Sequence, residues 1–162
     1  MAAGHRIFEN TYFQMVEPPK DSADATVPSS YIDVSGYERF AFIRLVGATD
    51  DSAVTMQVVQ ATAAAGTGSK NITSAAITGT VLAGTNDNKW AAVEVATSKL
   101  DIANGFRYVA VTIAATGGSS TLSSVLFIGW RARHNYPTQF AADSAQVVTI
   151  DAGPTTATTN YS

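Results

Sequence analysis

Apolar and polar residues alternate with a period of two along most of this chain, and clusters of Gly, Asn, Asp and Ser interrupt the pattern at short intervals. A segment with that period can present one face to a core and the other to solvent only as a β-strand. The firmest example is Arg39-Phe-Ala-Phe-Ile-Arg-Leu-Val46, an aromatic and branched run between Gly36 and Gly47. Ala53-Val-Thr-Met-Gln-Val-Val-Gln60 puts Val54, Met56 and Val58 on one face and Thr55, Gln57 and Val59 on the other. Trp90 to Ala96 alternates again, and Phe106 to Ile113 follows the turn signal Asn104-Gly105. Ser123 to Arg133 is apolar on both faces at its centre, the pattern of a strand buried on both sides, and its end is polar and basic. Weaker strands are predicted at Ile7 to Met15, Tyr31 to Val34, Ile72 to Ala76 and Thr80 to Leu82. Ala61 to Ala65 offers at most one helical turn before Gly66. Roughly seven to nine strands at this spacing predict an all-β fold, an antiparallel, jelly-roll-like β-sandwich. At 162 residues the chain is one domain, able to bury a core without metals or disulfides.

The two ends depart from the pattern. Residues 16–30 hold three of the five prolines (Pro18, Pro19 and Pro28), which predicts an extended connector rather than a continuous element. Residues 134–162 contain Pro137, Gly153 and Pro154 and have little to bury beyond Phe140, Val147, Val148, Ile150 and Tyr161. The expected organisation is an extended N-terminal arm and connector over 1–30, the sandwich over 31–133, and an extended C-terminal tail over 134–162.

Charged residues make up only 14% of the chain, against about 25% in an ordinary soluble domain, and the formal net charge is −3. A surface of Thr, Ser, Ala and Gly suits burial against other protein, because few charges must be desolvated there. It disfavours nucleic acid, which needs a basic face. The absence of cysteine removes disulfides, thiol catalysis and thiolate metal sites. The N-terminal stretch lacks the basic and apolar regions of a signal peptide, and no apolar run approaches the roughly 18 residues of a membrane helix. The expectation is synthesis in a cytoplasm with no membrane partner.

Catalytic side chains are scarce. Of the two histidines, His5 lies in the first few residues and His134 follows Arg131-Ala-Arg133. No second ligand stands at metal spacing from His134, so an edge or interface histidine is the better reading. Asp50-Asp51 reads as a solvated turn rather than a glycosidase pair, which must face each other across a cleft. Asn86-Asp-Asn88 reads as an Asx turn, since the calcium-loop pattern is missing. Gly66-Thr-Gly68-Ser69-Lys70 lacks phosphate-loop spacing, and Asn71-Ile-Thr73 matters as a glycosylation acceptor only in a secreted chain. No metal, cofactor or enzymatic activity is expected. Among the aromatics, Trp130 is expected to close one end of the core, whereas Trp90 and Tyr37 are the candidates for a glycan-binding platform. Arg107, Arg131 and Arg133 suit carboxylates on a partner subunit or, within the chain, Glu38 or Glu94.

Three stretches carry a family resemblance: Tyr31-Ile-Asp-Val-Ser-Gly-Tyr-Glu-Arg-Phe-Ala-Phe-Ile43, Trp90-Ala-Ala-Val-Glu-Val95 and Leu100-Asp-Ile-Ala-Asn-Gly-Phe-Arg-Tyr-Val109. With them the chain resembles, over about residues 30–133, the small capsid decoration or cement proteins of tailed bacteriophages that have a jelly-roll-like sandwich. The resemblance implies a structural virion protein on the outer surface of a phage head, clamping neighbouring major capsid subunits. It also implies homo-oligomers, trimers more than dimers. Under that reading Ile7, Phe8, Tyr12, Phe13 and Met15 of the N-terminal arm are interface candidates, with Arg131 and Arg133 beyond the sandwich and Phe140 and Tyr161 as tail anchors. The alternatives are a carbohydrate- or receptor-binding virion module, with Trp90 and Tyr37 in contact, and a head-to-tail or tail structural protein.

Overall fold

The computed structural model describes residues 11–21, 27–49, 53–77, 88–116 and 121–132. Over these residues the chain is built almost wholly of strands: β1 (Thr11–Asp21), β2 (Val27–Pro28), β3 (Ile32–Asp33), β4 (Tyr37–Thr49), β5 (Ala53–Ala61), β6 (Lys70–Ile77), β7 (Trp90–Ala96), β8 (Tyr108–Thr116) and β9 (Thr121–Ala132). One sheet has the order β1-β9-β4-β7; the other has the order β2-β8-β5-β6, with β3 also on β8. All the pairings are antiparallel. Counting β2 and β3 as two pieces of one strand on β8 leaves eight, and every link but the β5–β6 hairpin crosses between the sheets. That is the jelly-roll arrangement of two interleaved Greek keys.

The core lies between the sheets. Phe40 and Phe42 of β4 and Phe127 of β9 are fully buried, and facing them are Met56, Val58, Val109 and Val111 of the second sheet. Phe127 sits at the centre of the aromatic cluster, its ring centroid 5.4 Å from Phe42, 6.1 Å from Phe40 and 6.0 Å from Tyr37. Each such ring removed from water contributes about 1.5–3 kcal/mol.

Several expectations are corrected. The segment Val16–Asp21, predicted as connector, is the second half of β1, and residues from Thr11 onward belong to the sheet rather than to an arm. Pro18 and Pro19 are accommodated because β1 is an edge strand with only β9 to pair with, and because its register shifts between Glu17 and Lys20. Of two consecutive prolines one can lack its donor on the open side of the strand, and the other is tolerated because the ladder to β9 is interrupted between Glu17 and Lys20. Ala61 to Ala65 forms no helical turn but a tight loop, closed by Thr62 N–H on Thr67 O at 3.0 Å, with Gly66 at φ +81°. Short 3-10 turns lie instead at Thr97–Lys99 and Ile102–Asn104, the second ending on Gly105 in the left-handed region, at the turn that the Asn-Gly signal predicted. The strand predicted at Thr80 to Leu82 lies outside the described residues.

β9 carries the largest correction. Val125 and Phe127 point into the core, but Leu126, Ile128 and Trp130 alternate with them and lie half-buried on the opposite face, away from the second sheet. Neither double burial of this strand nor a core-closing Trp130 holds. In a two-layer sandwich each strand has one face in the core, so the second apolar face is turned outward.

Candidate functional site

The outward side of the β1-β9-β4-β7 sheet is assembled by register. Across β1, β9, β4 and β7 one row reads Met15, Leu126, Ile43, Ala92. The next reads Phe13, Ile128, Ala41, Glu94, and a third reads Thr11, Trp130, Arg39, Ala96. At the other end Leu45 stands between Ser124 and Trp90. Four large apolar side chains on this face are well exposed: Met15 at 54%, Leu45 at 49%, Trp90 at 66% and Leu122 at 52%. The row residues carry two charged groups, Arg39 and Glu94, and these form an ion pair with each other across β4 and β7. The face is thus broad and largely apolar, with Asp21 set opposite Leu122 beyond these rows, and so large an apolar surface is rare on a protein that stays in water.

A second concavity, about 580 Å³, opens between the sheet edges formed by β6 and β7. Its β6 wall is a bulge: pairing passes from Gln57–Ala76 to Val59–Asn71, leaving Ile72 to Ala75 opposite Val58. The Gln57 side-chain amide donates to the carbonyls of Val58 (2.7 Å), Ile72 (3.2 Å) and Ala75 (3.1 Å), which fixes the bulge, and Ser74 sits at φ 63°. At its rim Lys70 bonds Asp101 at 2.5 Å and lies 4.1 Å over the Phe106 ring. That lysine, with Asn104 as second donor, holds the Asp101 carboxyl below its ordinary value of 3.8. The cleft offers hydroxyls and carbonyls, and its carboxylate Glu94 is engaged by Arg39.

The sequence-predicted residues are placed as follows. Phe13 and Met15 are brought together on the outer face. Tyr12 points the other way, packing on the core 6.0 Å from Tyr37 and 6.3 Å from Phe127, with its hydroxyl donating to Gln14 Oε1 at 3.0 Å. Tyr37 is 2% exposed and cannot meet a glycan, so its place in that platform is withdrawn. Trp90 is open, on a face whose concavity, about 360 Å³ and lined by Pro19, Leu45, Gly47 and Leu122 among others, is apolar rather than polar. Arg107 pairs with Asp33 at 3.3 Å and stacks on Tyr108, and Glu94 goes to Arg39 instead. Arg131 lies near the end of β9. Ile7, Phe8, Arg133, His134, Phe140 and Tyr161 lie outside the described residues. Sequence reasoning missed Ile43, Leu45, Leu122, Leu126 and Ile128 as surface residues. The available signal was apolar character on both faces of β4 and β9 in a chain too short for a third layer.

Glu17 bonds Lys20 at 2.7 Å, so four described carboxylates, on Glu17, Asp33, Glu94 and Asp101, are each held by a cation. Among the described residues no group of three or more His, Cys, Asp or Glu could hold a metal ion, and no helix is long and apolar enough to cross a membrane.

The fold defines the chain as a jelly-roll β-sandwich with one apolar outer sheet. No protein-family model matches the sequence, and no curated protein is significantly similar to it. Among solved structures it is similar to a chain of the disulfide-linked pili of Bacillus endospore appendages, with 16% identity, a TM-score of 0.43, and coverage of 80% of this chain and 94% of that one. It is similar to a chain of infectious bursal disease virus, Gx strain, at 10% identity and TM-score 0.48, over 78% of this chain and 33% of that one. The coat protein of Tobacco streak virus matches at 9% identity and TM-score 0.39, over 83% and 95% of the two chains.

Proposed function

We propose that this chain is a structural virion protein, a capsid decoration or cement protein bound to the outside of a phage head, where it stabilises contacts between major capsid subunits. The observation that carries the reading is the outer sheet face, where Met15, Leu45, Trp90 and Leu122 are exposed and Arg39 and Glu94, toward the other end, pair with each other. Such a face belongs to a protein that works while buried against other protein. The jelly roll serves capsid subunits and lectins alike, so the site must decide between them. An apolar face suits assembly, and the burial of Tyr37 removes half of the glycan platform. The function needs no catalysis, cofactor or metal. Contact with the major capsid protein falls to the termini, through Ile7 and Phe8 at one end and Arg131, Arg133, Phe140 and Tyr161 at the other. Many modest contacts then add to durable attachment.

The test is co-sedimentation of the purified chain with emptied, expanded heads of the virus that encodes it, counting copies per head. Saturation at many copies over the whole shell is the expected result. Saturation at a single ring's worth moves the chain to the neck or tail. No binding overturns the reading and makes glycan arrays with Trp90→Ala the next comparison.

A further inference from the structure

We infer that two copies of this chain pair back to back through the outer faces of their β1-β9-β4-β7 sheets. The inference goes beyond attachment to a capsid and stands without it. Large apolar groups are exposed at both edges of the sheet, Met15 on β1 and Trp90 on β7, and Leu45 and Leu122 lie between them. Half-buried Leu126 and Ile128 of β9 make the centre continuous with them.

Area and charge decide the occupant. Four strands about 4.8 Å apart, each contributing about seven residues at about 3.4 Å, span a face of roughly 19 by 24 Å. Two such faces in contact bury about 900 Å² in plan, close to the roughly 1,000 Å² at which a biological interface begins. The charged groups of the rows, Arg39 and Glu94, satisfy each other within one copy. A strongly charged partner therefore gains little from this pair, whereas a second copy presents the same largely apolar surface. Residues on each sheet meet their equivalents around a two-fold axis, so the contact is isologous and closes at two. This selects a pair over the trimer that the family resemblance implies.

Sedimentation equilibrium of the full chain at micromolar concentration provides the test. The wild type is expected at twice the chain mass. Leu45→Lys and Trp90→Lys each place a charge on the face and are expected to weaken pairing roughly tenfold or more. Ile102→Lys is the control, because Ile102 is 52% exposed and lies in a 3-10 turn rather than on this face. Circular dichroism and melting of every variant establish that the fold is kept. A wild type that stays monomeric, a trimer, or Leu45→Lys and Trp90→Lys variants that pair like the wild type would each overturn the proposal. No heads are present in this assay, so its failure and the failure of capsid attachment are separate results.

Discussion

At the residue scale, the backbone of Gly129 lies directly under the Tyr37 ring. A Cβ there would stand 2.7 Å from two carbons of the Tyr37 ring and 2.9 Å from a third. The ring has little room to retreat, because it is 2% exposed and packs 6.0 Å from both Tyr12 and Phe127. Gly129→Ala is therefore expected to destabilise the fold by about 1–3 kcal/mol, the range for overpacking. In a urea titration the midpoint falls with the slope unchanged; an unchanged midpoint contradicts the packing described. A glycine inside an otherwise strong strand pattern signals such an approach in the sequence alone. That the approaching group is Tyr37 was not legible, because the partner comes from a distant strand. In the sequence the same tyrosine reads only as a candidate for the glycan platform.

At the element scale, β7 carries the limits Trp90–Ala96 read from alternation, and β4, β5, β8 and β9 appear where the pattern placed them. These strands have one core face and one other face, which is what a period of two reports. β1 was half legible: Thr11 to Met15 falls within the weaker strand predicted over Ile7 to Met15, but Pro18 and Pro19 mask the rest, since sequence does not show which strand will be an edge. Strand order was illegible for a similar reason, because spacing is indifferent to which sheet each strand joins. The placement of β1 has a measurable consequence. Removing residues 1–21 strips β9 of one neighbour and exposes the inner faces of Phe127 and Tyr37, which Tyr12 covers. The truncated chain is expected to lose cooperative thermal unfolding and to bind a hydrophobic dye such as ANS. A sharp transition near that of the full chain would return β1 to the status of a detachable arm.

At the scale of the whole molecule, low charge and an apolar outer sheet make one statement about association. Exposed charges lose most of their mutual influence once the Debye length shrinks, from about 30 Å at 0.01 M salt to about 3 Å at 1 M. Contacts made by Arg and carboxylate groups between copies would weaken steeply over that range. The outer sheet face holds the Arg39–Glu94 ion pair inside each copy and leaves Leu45, Trp90, Met15 and Leu122 to make the contact. Its strength follows apolar area, which simple salt does not screen and which sulfate reinforces by exclusion from protein surface. The net charge of −3 on each copy adds a weak repulsion that salt relieves. The dissociation constant of the pair is therefore expected to hold steady or tighten slightly as sodium chloride rises, to tighten further in sodium sulfate, and to weaken on cooling as the hydrophobic contribution fades. Sedimentation equilibrium across those conditions reads all three trends. Steep weakening in sodium chloride would place the contact on charged side chains instead, and the termini with Arg131 and Arg133 would replace the sheet face as its site.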